Sequence, residues 1–240
     1  PEWPDRDRFV LSAGHASMLL YSLLHISGYD ISLDDIKDFR QLHGKCAGHP
    51  EYGLVPGIEA TTGPLGQGVA TSVGMAIAER WMENYFNRHG HEIINHNIFA
   101  IAGDGCMMEG ISGEAASLAG HLGLGNLIWI YDNNHITIEG ETSLAFSEDV
   151  AARFKAYGWK VLHVGDANDL VKLEKVFQAA LSETDRPTLV VVDSHIAYGS
   201  PNKQDKASAH GAPLGEDEVR ATKINYGWDP DRTFYVPDEG

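Results

Sequence analysis

Two short apolar runs, each stopped by a cluster of oxygen-bearing or glycine residues, constrain this chain most. Ile98-Phe99-Ala100-Ile101-Ala102 ends at Gly103-Asp104-Gly105, and Leu127-Ile128-Trp129-Ile130-Tyr131 ends at Asp132-Asn133-Asn134. Such runs, bounded by turn formers, read as buried strands. The segment between them, Met107 to Leu122, reads as a helix. Strand, helix and strand in this order predict parallel neighbours in one sheet. Ligands of open parallel sheets sit beyond the C-terminal strand ends, where these polar clusters fall.

The residue types suggest a chemistry. Asp104 offers a carboxylate and Asn134 an amide oxygen, both suited to Mg2+ or Ca2+. The glycines beside Asp104 let a large anion approach the backbone. Gly105 also leads into a helix, whose N-terminus favours negative charge. Together these imply a divalent metal clamping a diphosphate. A lone Gly-Asp-Gly is also an ordinary strand-to-helix turn. The second strand, ending in an Asn pair about thirty residues on, makes the metal reading the more specific one.

Further elements follow the same rhythm. Phe9-Val10-Leu11-Ser12 reads as a strand, with a helix from about Ala16 to Ile26. Ile31 to Arg40 suggests a second helix, N-capped by Ser32 with Asp34 and Asp35 in its first turn. A long helix is expected over Val69 to Phe86, with Ala70, Val73, Ala76 and Ile77 on one face. Ser147 is a plausible cap for a helix running to Ala156. Lys160 to Val164 and Thr188 to Val192 read as strands. Between them Asn168 to Ser182 is amphipathic, with Leu170, Leu173, Val176, Phe177 and Leu181 on one face. Glu216 to Thr222 is a short helix. The alternation predicts a doubly wound parallel α/β sheet with helices on both faces.

Three irregular segments hold histidines: Ser12-Ala13-Gly14-His15, the loop from Leu42 to Glu51, and the stretch from His195 to Gly215. Irregular segments on a rigid scaffold are where function concentrates. His15 can face a phosphate, or cap a helix, or sit in the core. His49 and His43 share the second loop, and His43 reads as solvated. His89, His91 and His96 match no zinc spacing.

The net charge of −16 argues against a nucleic-acid surface. No apolar run approaches a membrane span. Cys46 and Cys106 form no metal or disulfide pattern, so a reducing cytoplasm is the expected compartment. Residues 1–226 are expected to form one domain and 227–240 a linker.

The wording around these motifs resembles one family closely. The pair Gly-Asp-Gly and Asn-Asn resembles the thiamine diphosphate fingerprint, and GDGCMMEGIS with IYDNNHITIEG is similar to transketolase. So are SAGH, GHPE, GPLGQG and HGAPLG, in the right order over nearly the whole chain. The resemblance implies thiamine diphosphate and Mg2+ or Ca2+ as cofactors, with Asp104, Asn134 and the Ile136 carbonyl as metal ligands. It implies that His15, Gly63, Pro64, Leu65, Gly105, Asn134 and His210 hold the cofactor, Leu65 as a prop for its bent shape. His15, His49 and His210 become the candidate catalytic residues, His49 and His210 also binding sugar phosphates. Glu109 and Glu114 would join a carboxylate network at a dimer interface; a solvated helical face is the alternative. Two departures stand out. His135 replaces a commonly small residue, and Gln204 to Ala209 diverges from the family loop.

The implied reaction is reversible transfer of a two-carbon ketol unit between sugar phosphates, as in the pentose phosphate pathway or Calvin cycle. The family also implies an activating Glu on a pyrimidine-binding domain of a second subunit, and an N-terminal substrate-binding segment. Neither is found in these residues, so this chain alone is expected to be inactive. Dihydroxyacetone synthase survives as a rival, while 1-deoxyxylulose-phosphate synthase and dehydrogenase subunits fit the GHPE and HGAPLG loops poorly. A non-catalytic dinucleotide-binding domain would need a G-x-G-x-x-G turn after its first strand, and none is present.

Overall fold

Side chains along the two central strands alternate between two apolar faces, and each face demands a cover of helices. The computed structural model describes residues 2–237. Five strands form one sheet: β1 (Arg8–Leu11), β2 (Ile98–Gly103), β3 (Leu127–Asn133), β6 (Lys160–Asp166) and β7 (Thr188–Asp193). Their order is β1-β2-β3-β7-β6 and every pairing is parallel. A small antiparallel hairpin, β4 (Ile136–Thr137) with β5 (Gly140–Glu141), follows β3.

Ile98, Ala100, Ala102, Leu127, Trp129 and Tyr131 point to one face. There they pack under α3 (Gln67–Phe86), α4 (Asp104–Met108), α5 (Gly110–Leu122) and α6 (Val150–Ala156). The opposite face is covered at one end by α1 (Ser17–Ile26) and α2 (Leu33–Lys37), through Leu20, Tyr21, Leu24 and Ile36. At the other end α7 (Leu170–Leu181) covers Ile128, Val164, Val190 and Val192. The chain runs β1, β2, β3 and on to the far edge at β6, then turns back through α7 to insert β7. A right-handed crossover that reverses direction must place its helix on the other face, which is where α7 lies. The doubly wound α/β sheet expected from the sequence is therefore the one formed.

Several boundaries differ from the expectation, each for a local reason. The helix expected from Met107 is two helices, because Glu109 adopts extended backbone (φ −74°, ψ 136°) between α4 and α5. The anion-favouring dipole expected beyond Gly105 is therefore that of a single five-residue helix. The cap of α6 is Asp149, which accepts from the Ala152 amide at 2.8 Å, and Ser147 lies outside the helix. Ser32 does cap α2 in a reciprocal box with Asp35, but the helix ends at Lys37. On α3 Val73 and Ala76 are buried as expected, while Ile77 is exposed and Ser72 and Glu79 take the buried positions. On α7 Ala180 is the buried residue, and Leu173 and Val176 are half-buried. Leu170 and Leu181 stay exposed, because α7 lies over the sheet edge. The last helix, α8 (Glu216–Asn225), runs beyond Thr222.

Glu79 is a buried acid that the apolar pattern of α3 does not explain. Its Oε2 accepts from Asn126 Nδ2 at 2.5 Å. Burial first, then the charge of Glu83, raises its carboxyl from 4.5 to about 7. The folded chain thus holds a proton there that the unfolded chain has released. That contribution is complete below about 4.5 and is lost as pH rises through about 7. Glu79→Gln keeps an acceptor for Asn126 and removes the titration. Thermal unfolding of the two proteins should coincide near pH 4, with the wild type the less stable at pH 8.

Candidate functional site

The sheet register places the ends of β2 and β3 side by side, with Gly103 opposite Asp132. Asp104 follows immediately and is buried. Its Oδ1 accepts from the Tyr131 hydroxyl at 2.6 Å and its Oδ2 from the His135 amide at 3.1 Å. Both donors are neutral, so the hydrogen bonds that hold this carboxylate carry no opposing charge. Asn134 Oδ1 accepts from the Ile136 amide at 3.0 Å. Asp104, Asn134 and Ile136 are thus drawn into one knot of hydrogen bonds at the sheet edge. His135 has φ +62°, a left-handed conformation that favours residues without a bulky branched side chain.

The remaining expected residues arrive on three separate loops. His15 sits on a 3-10 turn just after β1. Its ring stacks on that of His210, with centroids 4.9 Å apart and planes 24° apart. Burial, then His210 and His49, lower the His15 pKa. Burial also lowers that of His210, against an opposing pull from Asp104. His49 and His210 thus act on His15, and Asp104 acts on His210. His210 Nδ1 is buried and has no hydrogen-bond partner among the described residues.

The GPLGQG segment docks against both groups. A Cβ built on Gly63 would meet the His49 ring at 3.7 Å. A Cβ on Gly105 would meet Leu65 Cδ1 at 2.7 Å, so the leucine as placed packs directly on the glycine. Pro64 is exposed beside them. His49 lines a cleft of about 910 Å³ with Arg40, Leu42, Glu51 and Leu54, and His43 lines it too. His43 is exposed, as its loop setting implies, but it borders the same cleft as His49. Glu109 and Glu114 are exposed, and the Glu109 side chain borders Gly66 of the GPLGQG segment.

The chain matches the family model of the transketolase thiamine diphosphate-binding domain over residues 1–240.

The chain belongs to the transketolase family.

It is 58% identical over 239 residues to the transketolase of Geobacillus stearothermophilus, covering 100% of this chain and 36% of that protein. To the transketolase of Nostoc it is 55% identical over 241 residues, again covering 36% of the relative. The chain thus spans about a third of the curated relatives it matches. Among solved structures, the transketolase from Leishmania mexicana superposes with a TM-score of 0.97 at 46% identity, covering 99% of this chain and 35% of that one. A Pichia stipitis transketolase in complex with sedoheptulose 7-phosphate gives 0.97 at 47% identity, covering 99% and 35%.

A thiamine diphosphate-binding domain needs groups for a diphosphate and its counter-ion, and the residues present fit both. Asp104, Asn134 and Ile136 offer hard oxygens, the donor type of Mg2+ and Ca2+. Among the described residues no three His, Cys, Asp or Glu side chains gather into a metal cluster. A set built from a carboxylate, an amide and a backbone carbonyl is consistent with that. The buried Nδ1 of His210 is the orphan polar atom such a ligand would satisfy.

Sequence reasoning missed the residues that hold this set in place. Tyr131 reads as the last apolar residue of a core strand, yet its hydroxyl fixes Asp104. Burial and the bond to Asp104 raise its pKa, so it stays a donor. Asp132 is hydrogen-bonded by Ser194 from the end of β7 and lies 3.5 Å from Asn134 Nδ2. If Asp104 is a metal ligand, Tyr131→Phe should weaken Mg2+ affinity about 10–100-fold with the fold intact, as loss of a ligand's outer partner does. Metal titration by calorimetry on the whole protein checks this, with unchanged circular dichroism as the control.

Proposed function

We propose that this chain is the diphosphate- and metal-binding half of a transketolase active site. That site transfers a two-carbon ketol unit from a ketose phosphate to an aldose phosphate. The convergence of His15 and His210 beside the Asp104–Asn134 knot carries the reading, supported by the family match over the whole chain.

Asp104, Asn134 and the Ile136 carbonyl would hold Mg2+ or Ca2+ against the diphosphate. When bound, thiamine diphosphate supplies a nucleophilic carbanion at its thiazolium ring. The chain's own residues do the rest. Gly63, Pro64 and Gly105 would line the cofactor, and Leu65, packed on Gly105, would prop its bend. The lowered pKa values of His15 and His210 keep both rings uncharged at neutral pH, each with one nitrogen free to accept a proton or bond. His49 and His210 would hold substrate hydroxyls and move protons. Glu109 and Glu114, being exposed, are free to meet a second subunit. Residues 1–226 would form the domain and 227–237 lead toward a pyrimidine-binding domain whose Glu activates the cofactor; 238–240 lie outside the described residues. None of the helices described is long and apolar enough to cross a membrane. With two buried free cysteines, a reducing cytoplasm suits the protein.

The test is product analysis with the whole protein, thiamine diphosphate, Mg2+ and xylulose 5-phosphate, the sugar named in a Pichia stipitis transketolase complex. Ketol transfer to an aldose phosphate is expected, and none from the 240-residue chain alone. Transfer to formaldehyde only would make the protein a dihydroxyacetone synthase. No product from the whole protein would sink the reading.

A further inference from the structure

His210 reaches His15 from a loop none of whose apolar residues joins the buried core, so polar contacts have a large share in holding it. Side chains of α8 and of Tyr226 just beyond it do this. Glu218 Oε1 accepts from the Asn202 amide at 2.8 Å and also from the Ser200 hydroxyl. Its Oε2 accepts from Asn202 Nδ2 at 2.9 Å. Two turns further along, Asn225 Nδ2 donates to the Gly199 carbonyl at 2.9 Å, and the Tyr226 hydroxyl donates to Tyr198 O. Ser200 and Asn202 together draw the Glu218 carboxyl down to about 2, so it is ionised at any working pH.

The loop also closes on itself. Gln204 Oε1 accepts from the Gly199 amide at 2.9 Å, and the Asp205 amide donates to Ile196 O at 3.1 Å. From this closed piece a short arm with a 3-10 turn at Ala207–Ala209 leads to His210. A displacement of the piece must therefore move the histidine.

We infer that Glu218 is a positioning residue, which clamps the loop at Ser200 and Asn202 and so sets His210 against His15. The inference rests on the proposed role of His210 at the cofactor. An ion held by three hydrogen bonds is a stronger tether than a neutral pair. The sequence alone gives no sign of this, since Glu218 reads as one of several acids in the first turn of a surface helix.

The experiment uses the whole protein in Mg2+. Thiamine diphosphate affinity is measured by calorimetry for wild type, Glu218→Ala, His210→Ala and the double variant. Tryptic cleavage after Lys203 and Lys206 is followed in parallel. Glu218→Ala is expected to bind about tenfold more weakly, and the double variant no more weakly than His210→Ala, because coupled residues do not add. Cleavage in the loop should accelerate. Asn202→Ala should reproduce the loss, and Glu218→Gln, which keeps one acceptor but loses the charge, should recover only part of the affinity. Wild-type affinity in Glu218→Ala, or additive losses in the double variant, would overturn the clamp. Wild-type affinity in His210→Ala would overturn the role of His210, and the positioning role with it. Faster cleavage of Glu218→Ala would then show a loop anchor with no influence on the site.

Discussion

Asp104→Asn in the whole protein should lose measurable Mg2+ binding and lower ketol transfer on the order of a thousandfold, the scale of several kcal/mol of metal stabilisation. Asparagine matches aspartate in size, so the packing under Tyr131 is preserved. What disappears is the charge, together with one of the two acceptors that Tyr131 and the His135 amide now use. The apo protein should respond in the opposite direction. Asp104 is held by two neutral donors, so removing its charge breaks neither a hydrogen bond to a cation nor an ion pair. The unfolding midpoint of the apo variant is therefore expected to equal or exceed that of the wild type. Added Mg2+ and thiamine diphosphate should raise the wild-type midpoint and leave the variant's unchanged. A variant that keeps its metal response would remove Asp104 from the ligand set.

Trp129→Ala should cost about 3–5 kcal/mol of stability, the range for truncating a buried aromatic. Trp129 is fully buried, with ring centroids 4.7 Å from Trp159 and 5.7 Å from Phe154. Its Nε1 donates to Ser72 Oγ at 2.9 Å, which ties β3 to α3. Truncation opens a cavity at the middle of the sheet and unties that bond. Two residues on, the same strand presents Tyr131 to Asp104, so cofactor affinity should fall as well. Trp129→Phe refills most of the volume and is expected to recover the greater part of both. Chemical denaturation checks the first quantity and calorimetry the second. A cost below 1 kcal/mol would mean that the aromatic cluster collapses freely, against the close packing seen around it.

How far the site was legible follows from where its parts lie in the chain. The ends of β2 and β3 were readable because a buried parallel strand is a short apolar run, and the break into Gly103-Asp104 or Asp132-Asn133-Asn134 marks its exit. The Ser32 cap was readable for the same reason, since its partner Asp35 is three residues away. Cys106 and Ser12 show the opposite case. Their side chains touch at 3.4 Å across 94 residues, and no local pattern announces it. The break at Glu109 had only a weak local sign, Gly110 just after it, because Gly113 and Gly120 lie in the same segment without breaking the helix. The exposed Leu170 and Leu181 kept their periodic positions, and only the edge placement of α7 left them uncovered.

Local sequence, through apolar periodicity, caps and turn residues, determined the strands, most helices and the parallel α/β class of this protein, because each of those depends on neighbours within a few residues. The motifs supplied the residues proposed for the site. Tertiary structure decided what those residues touch. It set His210 on His15, brought the Tyr131 hydroxyl to Asp104, seated Leu65 on Gly105 and held the His210 loop to Glu218. Each of these contacts joins segments separated along the chain. The energy of such a contact depends on burial and distance, and both exist only once the sheet has formed.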